Sequence, residues 1–311
     1  MDVRQLRTFL HVAELGSFSR AAERLRIAQP ALGRQVRLLE EELGVRLFTR
    51  HGRGVTLTPP GKVLLDRAAA ILRQLERARV DVAAEGGAES GHVVVGLPPT
   101  VADILAGPLV ARFHDAHPRI SLRVVVGFSG FLQEWLLSGR MDLAVLYTAR
   151  VARNLRAEPL LTENLFLVGP GGCGLAPDAG VPFADLARRP LILPSPSHGL
   201  RALVDETAAA RGIDLTVPVE ADGLRILKDL VVRGLGYTVL PLAPIHAEVT
   251  GGLFAAAPIV APDLTRRVVL AGAVAGAQGR PAPPPVAAFG QVLRGEVRRM
   301  VEAGEWSGVL L

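Results

Sequence analysis

The chain has 311 residues, enough for two or three domains with sizeable cores, and about half of them are hydrophobic with few aromatics. A single cysteine, Cys173, excludes an internal disulfide framework and a cysteine-based zinc site. The net charge of +5 is unevenly placed: residues 1–60 hold ten Arg against six acids (+4), and residues 91–311 hold twenty basic against nineteen acidic (+1). The first sixty residues are therefore the part suited to a polyanion. No apolar run approaches membrane-span length, and MDVRQLRTFL lacks a signal peptide's apolar core, so a cytoplasmic protein without membrane contact is expected.

Residues 17–50 read as two short amphipathic helices with a sharp joint between them. The first, roughly Ser19 to Leu25, carries Ala21, Ala22 and Leu25 at helical spacing, with Ser17 placed to cap its free amides. The joint falls at Ile27-Ala28-Gln29-Pro30, because proline is tolerated in a helix's first turn. The second helix is expected to bury Leu32, Val36, Leu39 and Leu43, leaving Gln29, Gly33, Arg34 and Arg37 on the opposite side. One buried seam and a polar face that can enter a major groove are what a helix-turn-helix needs. A plain helical hairpin with a charged face would share this pattern, but the continuation separates them. Segments 47–50 and 55–58 alternate like strands around His51-Gly52-Arg53-Gly54, giving a basic-tipped hairpin suited to phosphates or a minor groove.

With AAERLRIAQPALGRQVRLLEEELGVRLFTR and RGVTLTPPGK in this order and spacing, the sequence resembles the LysR-type transcriptional regulators. The resemblance runs along nearly the whole chain. AQPAL, GHVVVGLPP and ENLFLVGP are most similar to the nitrogen-assimilation-control branch. It implies a sequence-specific contact with double-stranded DNA through Gln29, Pro30, Gly33, Arg34 and Arg37 in the groove, with Arg50 and Arg53 on the wing. Gly33 departs from the small hydroxyl residue usual there, and Thr58-Pro59-Pro60-Gly61 departs from the usual Thr-x-Ala-Gly.

From Gly61 to Glu85 a heptad seam of Leu64, Ala68, Ile71, Leu75, Ala78 and Val82 recurs at 4, 3, 4, 3, 4. A helix packed on its own domain is one reading. The other, which the resemblance favours, is a dimerisation linker, and the family precedent extends it to a homotetramer built as a dimer of dimers. Residues 85–91 (EGGAESG) read as a hinge.

Beyond His92, strand and helix patterns alternate, which predicts an α/β fold with a parallel sheet covered on both faces. The whole is then an N-terminal winged helix-turn-helix (1–60), a long linker helix and hinge (61–90), and an effector domain (91–311). The resemblance makes that last part like the periplasmic solute-binding proteins: subdomain I about 91–162 and 268–311, subdomain II about 163–267, two crossing strands, and a cleft between. Thr100, Ser129, and Ser195 and Ser197 with His198 all follow apolar strands and open helices, where amide dipoles favour an anion. A small organic anion as effector is one reading of these hydroxyls; helix capping is the other. Pro98 and Pro99 depart from the polar residues often found before that threonine.

No other motif carries chemistry. Cys173 lies in a GPGGCG loop without a second thiol. His114 and His117 have no evident further ligands and fit a helix end before Pro118. No nucleophile elbow or phosphate loop is present, so neither an enzyme nor a cofactor or metal is expected. Two readings remain: a ligand-responsive DNA-binding regulator, and a cytoplasmic small-molecule-binding protein whose basic head is only an adaptor.

Overall fold

A computed structural model of the chain describes residues 1–52, 54–85, 91–147, 152, 154–196, 198–273 and 282–311, with the side chains at 50, 66, 73, 76–85 and 273 outside that description. It divides into two compact units.

The first unit opens with a helix that the motif reading did not anticipate, α1 (Val3–Leu15). Asp2 accepts from the Gln5 amide at 2.7 Å while the Gln5 side chain accepts from the Asp2 amide at 2.8 Å, closing a capping box. Leu6, Phe9 and Val12 then bury one face of α1. Next come α2 (Phe18–Leu25), whose N-cap is Ser17 as expected, and α3 (Gln29–Leu43), with Pro30 in its first turn. Leu32, Val36 and Leu39 seat α3 on α1 and α2; Leu43 does not join them, because at the last turn it stands 38% exposed. The hairpin pairs β1 (Phe48–His51) with β2 (Gly54–Leu57), from Phe48↔Leu57 to His51↔Gly54. Its tip is therefore two residues, shorter than the four-residue turn expected. Gly54 has φ +142°, and a Cβ there would lie 2.5 Å from the Gly16 carbonyl oxygen.

Thr58 leaves the strand to start α4 (Pro59–Glu85): its hydroxyl accepts from the Gly61 amide at 3.1 Å and donates to the Arg46 carbonyl at 2.6 Å. Ala68 is fully buried in the core of the head, with Leu64, Leu65 and Leu72 packed against it. The expected partner-facing seam is thus partly spent within the chain, since α4 runs against α1. Ile71 is 41% exposed and Leu75 half-buried. The side chains of Ala78 and Val82 lie outside the described residues.

The second unit starts with β3 (Gly91–Leu97), α5 (Pro99–Ala116), β4 (Ile120–Val126), α6 (Ser129–Leu137) and β5 (Leu143–Tyr147), with β4, β3 and β5 parallel. A 16-residue strand, β6 (Leu155–Pro170), leads to β7 (Val181–Pro182), β8 (Ile192–Leu193), α7 (Gly199–Ala209), β9 (Val219–Glu220) and α8 (Leu224–Val232). β10 (Thr238–Pro241), α9 (His246–Thr250), β11 (Phe254–Val260), β12 (Thr265–Ala273), α10 (Pro284–Glu302) and β13 (Val309–Leu310) complete it. The main order is β4-β3-β5-β12-β6-β11-β7. The sheet is mixed, where an all-parallel one was expected: β12 runs antiparallel to β5 and β6, and β10 and β11 antiparallel to β6. Both β6 and β12 continue past positions 162/163 and 267/268, with a register shift at Val268/Val269, and Arg266 lies opposite Glu163 there.

Two hydrophobic centres flank these crossing strands. One gathers Val95, Leu105, Phe113, Phe289 and Trp306; the other gathers Leu167, Phe183, Leu191, Val204 and Val239. Among the described residues, no helix is long and apolar enough to cross a membrane.

Candidate nucleic-acid interface and effector cleft

The head presents its polar face where the sequence placed it. Gln29, Pro30, Arg34 and Arg37 are exposed and Gly33 half-buried, with open space where a Gly33 side chain would stand. α1 and α2 each start under a side-chain cap, but α3 starts at Ala28, which has none. Pro30 has no amide to offer, and with no side-chain cap the first-turn amides of Gln29 and Ala31 are available to an external acceptor. The backbone of Arg50 sits on β1 opposite Val55, but its side chain, like all of Arg53, lies outside the described residues.

In the effector unit Thr100 belongs to a constellation other than the expected set of hydroxyls. Thr100 is in the first turn of α5, behind an N-cap at Pro98 without a side-chain bond, so it is not the cap. Its Oγ1 lies 2.5 Å from the Tyr147 hydroxyl and accepts from Arg266 Nη2 at 3.0 Å. Arg266 Nε donates to Glu163 Oε1 at 2.5 Å, and Trp306 Nε1 donates to Glu163 Oε2 at 2.9 Å. The guanidinium also lies 3.6 Å from the centre of the Tyr147 ring. Glu163 is 1% and Arg266 7% exposed. A buried charge pair needs this level of hydrogen bonding to offset its desolvation. Burial pushes the Tyr147 hydroxyl well above its usual range, the Arg266 charge opposing that rise.

Ser129 is tied elsewhere: its hydroxyl accepts from the Tyr147 amide at 2.9 Å. The Ser195 amide donates to Asp222 Oδ1 at 2.8 Å, holding that carboxyl below its ordinary value. Ser197 lies outside the described residues, and His198, not a serine, caps α7: its Nδ1 accepts from the Leu200 amide at 3.1 Å. The His198 ring packs edge-on against Phe128 at 4.4 Å. Burial, and then the Arg266 charge, lower its pKa to about 4, with Asp222 opposing. His198 is neutral at pH 7. Thr100, Tyr147, Arg266, Phe128, His198 and Asp222 line one cavity of about 30 Å³, room for about one water. Of the five expected cleft residues, Thr100 and His198 line it. Tyr147, Glu163, Arg266, Trp306 and Asp222 escaped the sequence reading. The available signal was an acid inside the apolar run LLTENLFLV and an Arg pair opening RRVVL.

The remaining candidates stay without a site. Cys173 is a half-buried free thiol, the His117 ring packs on Phe113, and no group of metal-ligating side chains occurs among the described residues.

The family model for the bacterial regulatory helix-turn-helix protein of the lysR family matches residues 3–62, and that for the LysR substrate binding domain matches residues 86–298. The chain is 37% identical over 242 residues to the nitrogen assimilation regulatory protein nac of Escherichia coli, covering 78% of each. It is 35% identical over 252 residues to the transcriptional regulator BbuR of Bordetella bronchiseptica, covering 81% of this chain and 78% of that protein. A full-length OxyR variant from Pseudomonas aeruginosa superposes with a TM-score of 0.70 at 27% identity, covering 96% of this chain and 95% of that one. Full-length CbnR, solved with its target DNA, shares the fold at a TM-score of 0.69 and 23% identity, covering 95% and 100%. With a matching head, a matching effector domain and full-length counterparts of the same fold, the chain belongs to the LysR family of DNA-binding transcriptional regulators.

Proposed function

We propose that this regulator reads base edges with Gln29, Pro30 and Arg34, flanked by Gly33 and Arg37, while Arg50 and Arg53 follow phosphates from the wing. One observation supports this most: α3 is fixed by Leu32, Val36 and Leu39, its N-terminus at Gln29 has no side-chain cap, and Gln29 and Arg34 are exposed. Gln suits a bidentate contact to adenine and Arg to guanine. Self-association through α4 centres on Ile71 and Leu75, the seam positions the head leaves open. It gives a homodimer and, by assembly of two, a dimer of dimers. The protein regulates and does not catalyse.

The cleft responds to a small organic anion held by Arg266 and Thr100. The support is a buried cation lining the cavity between the two hydrophobic centres. Because that cavity holds about one water, a carboxylate enters only when the lobes part, and it shifts the assembly by its preference for the parted form. Acetate and benzoate, titrated against wild type and Thr100→Val, test this. Changed retardation of operator DNA in the wild type alone supports it. Equal behaviour of the two proteins removes the cleft from regulation.

A further inference from the structure

The wing is a hairpin of two four-residue strands, too short to hold a pose by itself. Its position is therefore set by what grips its base. The Val55 amide donates to the Gly16 carbonyl at 2.9 Å, and the Thr58 amide donates to the Leu47 carbonyl at 3.0 Å. The first fastens the hairpin to the end of α1, and the second closes the hairpin's own base where Thr58 leads into α4; neither reaches the helix that carries Gln29 and Arg34.

Leu47, Phe48 and Val55 share the apolar core with Val36 and Leu39 of α3, and among the described residues the hydrogen-bonded tie to that helix is one side chain. Glu40 lies three turns along that helix from Gln29 and is 9% exposed. Its Oε1 accepts from the amides of Leu47 at 2.8 Å and Phe48 at 3.4 Å, the residues that lead into β1. Its Oε2 accepts from Arg46 Nη1 at 2.9 Å. An ionised carboxylate on backbone amides makes charge-assisted bonds, shorter and stronger than neutral ones. The Arg46 partner is 78% exposed, so the ion pair itself adds little. An acid is a poor choice next to DNA unless it serves another purpose, because it repels the phosphates that the arginines seek.

We propose that Glu40 is a positioning residue: it locks the wing to the recognition helix, so that sequence discrimination depends on it although it touches no base. This rests on the reading that both elements contact DNA. Groove contacts and wing contacts are made together only if their separation is fixed. A loosened wing still finds phosphates on any duplex, but no longer in register with the bases under α3.

The test uses full-length protein and two duplexes, one selected from random sequence by the wild type and one scrambled. Glu40→Gln is expected to weaken binding to the selected duplex at least tenfold. Binding to the scrambled duplex is unchanged or tighter, since a negative charge is gone. Arg46→Gln, which leaves the carboxylate on the two amides, keeps discrimination within about threefold of wild type. Hydrogen exchange adds a readout that survives weak binding: the Leu47 and Phe48 amides exchange faster in Glu40→Gln while Phe9 in α1 does not. Equal losses on both duplexes, with Phe9 also exchanging faster, would reduce Glu40 to a stability residue and overturn the proposal. Gains on both duplexes overturn it too, leaving only phosphate repulsion. If Arg50→Ala and Arg53→Ala leave both affinities untouched, the wing reading itself fails, and that is a separate result.

Discussion

On α3 of the head, Gln29, Arg34 and Arg37 stand exposed on a helix whose other side is buried, whereas in the cleft Thr100, Tyr147, Arg266 and Glu163 spend their polar groups on one another. The head keeps this polar face exposed. The cleft is satisfied without a partner, and its cavity is no larger than a water. A polar face that stays unpaired in water costs nothing, so the head can keep it open. A buried charge left unpaired costs several kcal/mol, so the cleft either holds a ligand or supplies its own counter-ion.

The largest expected effect tests the self-satisfied side of this contrast. Arg266→Met leaves Glu163 buried with Trp306 as its remaining donor, and breaking such a pair costs about 3–5 kcal/mol. Thermal unfolding should report that loss, while an equivalent change at exposed Arg34 leaves the midpoint within about a degree or two. Equal, small effects at both sites would erase the distinction.

The linker helix carries both regimes along one seam. Ala68→Asp puts a charge into the closed core of the head and is expected to unfold it. Ile71→Asp combined with Leu75→Asp instead leaves the head folded and sediments as a smaller species. An unchanged assembly in that double variant moves the self-association surface off α4.

A smaller effect follows from His198, whose pKa falls to about 4 in the folded cleft from an ordinary value near 6.5. Between those values the unfolded chain binds the extra proton and the folded chain does not, so stability falls as pH drops from about 6.5 to 4. The total is about 3 kcal/mol, fully present above pH 6.5. Unfolding midpoints across that range should flatten in His198→Gln, which keeps a side chain able to accept the Leu200 amide. A wild-type profile already flat would mean that His198 titrates normally.

The head was legible because its signals are local. Ser17, Pro30, the 4-and-3 spacing of Leu32, Val36 and Leu39, and the Gly-framed turn each act within a few residues. The missed α1 was equally local, with Asp2 and Gln5 forming a capping box, but no DNA motif drew attention to it. The cleft was legible only at Thr100 and His198, since its chemistry is assembled at long range. Arg266 reaches Thr100 across 166 residues and Glu163 across 103; the antiparallel register of β12 on β6 sets Arg266 opposite Glu163, and the start of α5 brings Thr100 to them. The polar interruptions in RAEPLLTEN concealed the first half of β6, and the alanines concealed β11, for the same reason, because pairing and burial, not propensity, hold them extended.

The contrast stands or falls on the open face of α3, and one comparison addresses it most directly: Kd values of wild type and Gln29→Ala on a selected and a scrambled duplex at fixed salt. Losing one bidentate base contact is expected to reduce the ratio of the two by about 1–3 kcal/mol, through weaker binding to the selected duplex alone. A ratio unchanged by Gln29→Ala, with both affinities intact, would mean that this exposed face does not read sequence, and would contradict the account.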